Sequence, residues 1–344
     1  MYIIPEFLYP RNPYILISSV VLAHLFEYIY PFHKGVLLTL HPVHTSYILA
    51  IKIGKKCSSK IRGVVTWFII VLSHLLLYGF ILYISWIINP LLWIIVAGWI
   101  IKLSFSLKLL TSIIENISKC SYLNDWNCVR FWTQQIVRRN VYAIDEEHVL
   151  SAAIESLVES LVDGYTSPLF YILLFGPLGA LLQRIANTLD GALGFKTAEY
   201  KDVGWFSAKA DTILNYIPAR LTAITIVILS PFVKVSISYA YKIWRKYHRV
   251  TESLNAGHPM SAIAGVMMIR LEKIGEYTIG EKVRVIDYSV IKTCLKISKT
   301  VAIIWFLVIN ILIYILSNNC FNALTSFSLS YLSLIDTLPW NFVK

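Results

Sequence analysis

Charge is what this chain has least of. Only 15% of its 344 residues are Asp, Glu, Lys or Arg, where soluble domains carry about a quarter. Apolar types make up 57%, and the mean hydropathy is +0.63. An ordinary water-soluble globule is therefore not expected. The chain also lacks G-x-x-x-x-G-K-[ST] and G-x-G-x-x-G, which removes a P-loop and a dinucleotide-binding turn. Its cysteines (Cys57, Cys120, Cys128, Cys294, Cys320) include no C-x-x-C and no close pair. Neither a disulfide framework nor a metal site is expected from them. No low-complexity tract or short-period repeat is visible. The N-terminus is acidic and proline-broken, with no basic segment before its apolar run. A retained span is expected there rather than a cleaved signal peptide.

What is present is a set of apolar stretches near the ~20 residues that cross a bilayer. The clearest cover about 64–88, 91–110 and 301–316. A fourth, 13–30, carries His24 and Glu27, and a fifth, 221–240, is interrupted by Pro231 and Lys234. The sixth, 167–182, is short and contains Pro168, Gly176, Pro177 and Gly179. It suits a re-entrant or cavity-lining element better than a lipid-facing span, because broken backbone at membrane depth is tolerated where protein or a wet cavity surrounds it. The expected fold class is all-α: a polytopic membrane protein of about four to six embedded helices with large polar cytoplasmic-side helical segments.

The net charge is +11, yet the bases form no nucleic-acid stripe. They gather between apolar runs: Lys52, Lys55, Lys56, Lys60 and Arg62 in one segment, and Arg245, Lys246 and Arg249 in another. The positive-inside rule puts the 44–63 loop in the cytoplasm and the N-terminus outside. Membrane lipids are then one partner of these bases, and a polyanionic substrate is a sharper alternative. Asn89 and Pro90 make the short turn of the 64–110 hairpin. Asp145 is placed to cap the next polar helix.

That helix carries the most informative pattern in the chain. Glu155, Glu159 and Asp163 recur every four residues, so a helix stacks them on one face, with Leu157, Val158, Leu161 and Val162 opposite. Like charges at this spacing cost a few tenths of a kcal/mol per pair. A solvated acidic face is the ordinary explanation in a soluble protein. At a membrane boundary, ionisable residues point to function.

Three further clusters lie beside apolar sequence. Arg184, Asn187 and Thr188 share a helical face near Asp190, after which Gly191 and Gly194 break the helix. Lys209, Asp211, Asn215 and Arg220 form the next, with Asp211 and Asn215 four apart. Asn255 and His258 flank Gly257 in SLNAGHPMSAIAG, where small residues permit close packing. Singly, each has a structural explanation: Asn caps, a packed loop histidine, an Arg220–Asp211 pair. Together, carboxylates with Arg and Lys suit magnesium-bound phosphate.

The run ESLVESLVDGYTSPLFY…GPLGALLQRIANTLDGALGFKTAEYKDVGWFSAKADTILNYIPARLTA resembles the central signature of the CobD/CbiB family of cobalamin-biosynthesis membrane proteins, the adenosylcobinamide-phosphate synthases. SLNAGHPMSAIAGVMMIRLEKIGEYTIG is similar to the family's second signature. His41-Pro42-Val43 with Ile53-Gly54-Lys55 and Arg62-Gly63 resembles its N-terminal block. Four positions depart from the pattern: Ser160 stands for Asn, Asn140 for the Asp after Arg, Thr212 for the second Asp of a pair, and Leu254 for Pro.

The resemblance implies an ATP-dependent ligase that joins adenosylcobyric acid to aminopropanol or its phosphate, giving adenosylcobinamide (phosphate). It implies ATP and Mg²⁺ as cofactors, the corrinoid and the amino alcohol as substrate partners, other corrinoid-pathway membrane enzymes as companions, and a multi-pass place in the cell membrane. One integral-membrane domain is then expected over 1–344: N-terminal spans in 11–114, a signature-bearing catalytic region in 115–300 and a C-terminal span and tail in 301–344. On this reading Glu155, Glu159 and Asp163 hold Mg²⁺ or act on the amine, and Asp211 and His258 join them as catalytic residues. Arg184, Lys196, Lys209 and Arg220 hold phosphate, while Asn187, Asp190, Asn215 and Asn255 contact substrate. A membrane transporter with a charged pathway is the competing reading, and it predicts internal repeats with paired broken helices. A lipid phosphotransferase would want its Asp residues closer together.

Overall fold

The computed structural model describes residues 5–336, with side chains as far as Ser317. The 337–344 end of the expected tail, and Cys320, lie outside the described residues and side chains. Helix α1 (Pro13–Ile29) is followed by the single turn α2 (Val36–Thr39), α3 (Pro42–Ile53), α4 (Lys60–Ile88), α5 (Pro90–Lys102), α6 (Leu107–Tyr122) and α7 (Trp126–Gln134). Then come α8 (Glu146–Leu161), α9 (Ser167–Leu193), α10 (Trp205–Ile228), α11 (Ile237–Tyr247) and α12 (Gly257–Met267). Strands β1 (Arg270–Lys273) and β2 (Tyr277–Gly280) precede the long α13 (Tyr288–Asp336).

The starts of these helices are written in the sequence. Asn12, Ser59, Asn89, Asp125, Asp145 and Ser236 each accept a hydrogen bond from a first-turn amide, and Pro13, Pro42 and Pro90 occupy first helical positions. Among the described residues, three helical runs are long and apolar enough to cross a membrane: Lys60–Ile88, the continuous Glu146–Leu193 and Tyr288–Ser317. The α5–α6 pair adds a fourth if its 43° bend is counted within one span. Helix α9 is central and packs against α3, α4, α5, α10 and α13, while α1 lies along α5.

Several expectations change. The apolar stretch 91–110 is not one helix: α5 ends at Lys102, and the Ser106 amide donates to the Gly164 carbonyl at 2.9 Å, which ties the break to the α8–α9 junction. The first half of the 44–63 loop belongs to helix α3, started by Pro42, and its last four residues open α4. The 221–240 stretch is broken as expected, with a 3₁₀ turn at Ser230–Val233 and Lys234 left-handed. The 167–182 stretch is helical and mostly buried, but it is kinked at Phe175 and Gly176, ahead of Pro177. Gly176 takes φ +63°, a conformation open to glycine at no steric cost. Gly191 stays helical, and the break comes at Gly194.

The all-α expectation holds for the architecture but misses one hairpin. β1 and β2 pair antiparallel, Leu271 opposite Ile279 and Lys273 opposite Tyr277, around Gly275 at φ +78°. The cysteine reading also needs correction. Cys120, in the last turns of α6, is disulfide-bonded to Cys128 of α7, because the tight α6–α7 turn brings residues eight apart together.

Candidate active site

The acid face opens onto a cavity of about 470 Å³. Helix α8 supplies Glu155, Ser156, Glu159 and Ser160, and α9 supplies Asn187, Asp190 and Gly191. Asp163 comes from a π turn, Val162–Thr166, that joins the two helices. Such turns re-aim side chains and are common at functional sites. Gly164 in that turn lets Ser106 close in, since a Cβ there would run into the Ser106 hydroxyl. Arg138 and Arg139 enter from the segment after α7, and Lys273 and Tyr277 from the hairpin.

The three stacked acids are not equivalent. Glu155 is buried and engaged at both oxygens. Its Oε1 accepts from Ser151 Oγ at 2.6 Å, and its Oε2 accepts from Arg139 Nη2 and Tyr277 O–H, both at 2.8 Å. The Tyr277 hydroxyl is pushed well above its ordinary pKa by burial and by the Glu155 charge, so it stays a donor. Glu155 thus pins the hairpin and the Arg139 segment to α8. Glu159 and Asp163 instead face the cavity, half-buried.

Two neighbouring cavities continue from the first. One of about 160 Å³ shares Glu159, Asp163 and Asp190 with it and adds Asp211, Asn215 and Asn255. The next, about 790 Å³, shares Asp190, Asp211 and Asn255 and reaches Lys196, Lys209 and Glu252. Shared walls make one row of spaces with Asp190 at the junction.

Asp211 sits at the narrow point. Its Oδ1 accepts from Asn187 Nδ2 at 3.2 Å and from Asn215 Nδ2 at 2.9 Å, and Gln183 Nε2 donates to Asn215 Oδ1 at 3.0 Å. Burial, with the charge of Asp190 behind it, pushes the Asp211 carboxyl up to about 7, against the pull of the two amide bonds. An acid poised there exchanges its proton near neutral pH. The two Asn residues are therefore orienting groups for Asp211 rather than helix caps.

The remaining predicted residues are spread more widely. Asn255 is buried, donates to the Thr212 carbonyl at 2.9 Å and accepts from Arg220 Nη1 at 3.3 Å. Arg220 lies over the Tyr216 ring and does not pair with Asp211. Lys196 is exposed and bonded to Glu252 at 2.7 Å, and Lys209 is an exposed wall residue. His258 is buried against α11, where its Nδ1 accepts from Trp244 Nε1 at 3.1 Å. Burial, then the Arg220 charge, lowers His258 to about 4, so the ring is neutral. Arg184 shares a helix with Asn187 but lines a different cavity, on the α3 and α6 side.

Among the described residues, no three His, Cys, Asp or Glu side chains form a ready metal cage. Three bonds leave Glu155 one lone-pair site, on Oε1, and Glu159, Asp163 and Asp190 line the same cavity beside it. That donor set fits Mg²⁺, which keeps several waters and commonly takes one or two carboxylates plus substrate phosphates.

Lys273 and Tyr277 were absent from the sequence-derived site. Their signal was available in RLEKIGEYTIG: alternation on both sides of a Gly-containing turn reads as a hairpin. Arg138 and Arg139 were absent from that site as well. Arg138 Nη2 donates to the Gly191 carbonyl at 3.1 Å and its guanidinium lies over Phe195, contacts no local pattern announces.

Comparison with known proteins gives a match to the family model described as CobD/Cbib protein, over residues 20–332. A probable cobalamin biosynthesis protein CobD of Aeropyrum pernix is 44% identical over 272 residues, covering 79% of this chain and 85% of that one. The cobalamin biosynthesis proteins CobD of Clostridium perfringens and Dehalococcoides mccartyi are 35% and 34% identical, over 69% and 64% of this chain and 78% and 71% of theirs. No solved structure gives a significant match.

Proposed function

Since the chain belongs to the CobD/CbiB family, we propose that it works in cobalamin biosynthesis as a multi-pass enzyme of the cell membrane, an acid–amine ligase. It joins a propionate carboxylate of adenosylcobyric acid to the amine of aminopropanol or its phosphate, with ATP converted to ADP and phosphate. The observation that carries this reading is the row of carboxylate-lined cavities that narrows at the half-buried Asp211.

A carboxylate does not accept an amine until one oxygen is made a leaving group. In the proposed sequence the substrate carboxylate takes the terminal phosphoryl group of ATP and ADP leaves. The amine nitrogen then attacks the acyl carbon, the carbon–oxygen bond to phosphate breaks, and inorganic phosphate departs. Both steps bring anions together. Arg138 and Lys273 on the cavity wall supply positive charge for them. Glu159, Asp163 and Asp190 would hold Mg²⁺, which when bound offsets the charge on the transferring phosphoryl group.

The amine arrives protonated and must lose a proton to become a nucleophile. Asp211, at about 7, is the base whose strength suits that task near neutral pH, with Asn187 and Asn215 fixing its orientation. Glu155 acts through others, by holding Arg139 and Tyr277 at the rim. A wide cavity at a membrane surface suits the bulk and mixed polarity of a corrin. Cavities of roughly this size bury most of a drug-sized ligand, and three spaces adjoin here.

The purified full chain, given ATP, magnesium, adenosylcobyric acid and aminopropanol phosphate, is expected to add the amine to the corrin with loss of one water. No ATP-dependent change in corrin mass with either form of the amino alcohol refutes the ligase reading.

A further inference from the structure

A cavity of about 400 Å³ lies on the other side of α9 from the carboxylates. Its walls come from the loop after α1, from α2 and α3, from the α5–α6 break and from Arg184. Lys102 lines it with a side chain only 1% exposed, among the most deeply buried large residues of the chain. The lysine Nζ donates to the His33 ring at 2.9 Å and lies 5.5 Å from the centre of the Tyr30 ring. The nearest carboxylate, Glu27, is 4.0 Å away, and its other oxygen is taken by the Lys108 amide at 3.1 Å. Arg184 brings a second cation, and its Nε is buried with no hydrogen-bond partner among the described residues.

Lys102 and Arg184 thus face one space, with Glu27 in ion-pair range of Lys102 and within electrostatic reach of Arg184. A buried donor left without an acceptor costs about 1–3 kcal/mol, so the orphaned Arg184 Nε marks room for one. The histidines on the wall add donors rather than charge. His41 Nδ1 accepts from the Val43 amide at 3.2 Å, which leaves the proton of the neutral ring on Nε2. Burial and the charges of Arg184 and Lys102, together with His33, bring His41 down to about 3, and burial and Lys102 bring His33 to about 4. His44 and Ser106 complete the polar wall. The mouth is apolar: Leu38 is 46% and Leu109 39% exposed.

We propose that this cavity is an anion site for a phosphate group carried on an apolar or extended body, with Lys102 and Arg184 taking the charge. The apolar mouth seats the body and the buried cations take the head. The phosphate can come from a soluble ester or from a lipid headgroup, and the same chemistry recognises both. Arg184 also lies within electrostatic reach of Asp163. Filling this cavity therefore competes with Asp163 for one guanidinium and couples the two sides of α9.

The test uses the full chain in neutral detergent, without corrinoid or ATP, so its outcome is independent of the ligase reading. Thermal unfolding is followed while inorganic phosphate, short-chain phosphatidic acid or short-chain phosphatidylcholine is titrated in at constant ionic strength. Stabilisation by phosphate and by phosphatidic acid is expected if the source is soluble, and by phosphatidic acid alone if it is lipid. In either case the apparent Kd should rise at least tenfold in Lys102→Gln and in Leu109→Glu, which sets a carboxylate at the mouth and removes no buried group. Leu109→Gln and the surface variant Lys282→Gln, at an exposed position on no cavity wall described above, should stay within twofold of the parent. The site is refuted if neither anion stabilises the chain, if phosphatidylcholine works equally well, or if Leu109→Glu binds as tightly as Leu109→Gln.

Discussion

Replacing Asp211 by Asn removes one charge from the narrow point of the cavity row and keeps a side-chain oxygen for Asn187 and Asn215. Folding raises this carboxyl from the ordinary 3.8 to about 7, so the folded state binds its proton more tightly than the unfolded chain does. Its contribution to stability is therefore full below pH 3.8 and is lost as pH rises through about 7. At about 1.4 kcal/mol per pKa unit, the carboxylate costs the fold at most about 4 kcal/mol at pH 8. Cavity water reaches the half-buried group, and about 2 kcal/mol is a fairer figure. Asp211→Asn should therefore unfold a few degrees higher than the parent at pH 8 and at the same temperature as the parent near pH 4. Its turnover should fall about 100-fold or more, because an amide cannot take the amine's proton. The parent's turnover should climb through an acidic limb centred near 7 that the variant lacks, and that limb belongs jointly to Asp211 and its coupled neighbours. Thermal unfolding and turnover across pH 5 to 9 measure both halves (roughly the range where such groups titrate). A variant that turns over within twofold of the parent, or that keeps the acidic limb, refutes the role given to Asp211.

Glu159→Gln should abolish product formation while leaving insertion and unfolding temperature unchanged, as measured by corrin product and thermal unfolding together. Glu155→Gln should do the opposite: it leaves Arg139 without its partner and should cost about 2–4 kcal/mol of stability, with turnover per folded molecule retained. Tyr277→Phe removes the hydroxyl that ties the hairpin to Glu155. About 1–3 kcal/mol of lost stability and a raised KM for the corrin are expected, with kcat little changed. Gly164→Ala forces a methyl into the Ser106 hydroxyl and should cost about 1–2 kcal/mol, most of which Ser106→Ala restores in the double variant.

The parts of this structure that were legible beforehand are those set by local chemistry. The Asp145 cap, the turn at Asn89 and Pro90, the interruption at Pro231 and Lys234, and the shared face of Glu155, Glu159 and Asp163 follow from spacing and side-chain type alone. The pairing of Asp211 with Asn215 was visible too, since four residues apart on a helix is contact distance. What was hidden depends on long-range contact. Nothing near Glu155 says that Arg139 and Tyr277 will engage it, for Tyr277 is 122 residues away. The separation of Arg184 from Asn187 was hidden for another reason. Two side chains three apart on a helix can still face different neighbours when the helix is central and surrounded, as α9 is. Lys102 lies inside the 91–110 stretch expected to be one span, and nothing in that stretch announces that the helix ends at it.

Oxygen tracing tests the central claim most directly. Adenosylcobyric acid labelled with ¹⁸O in its reacting carboxylate is turned over by the purified chain with ATP and aminopropanol phosphate, and the released phosphate is analysed by mass. Activation of the carboxylate by phosphoryl transfer predicts one ¹⁸O in each inorganic phosphate and one retained in the amide. Amide product accompanied by unlabelled phosphate, or label found in AMP, contradicts it.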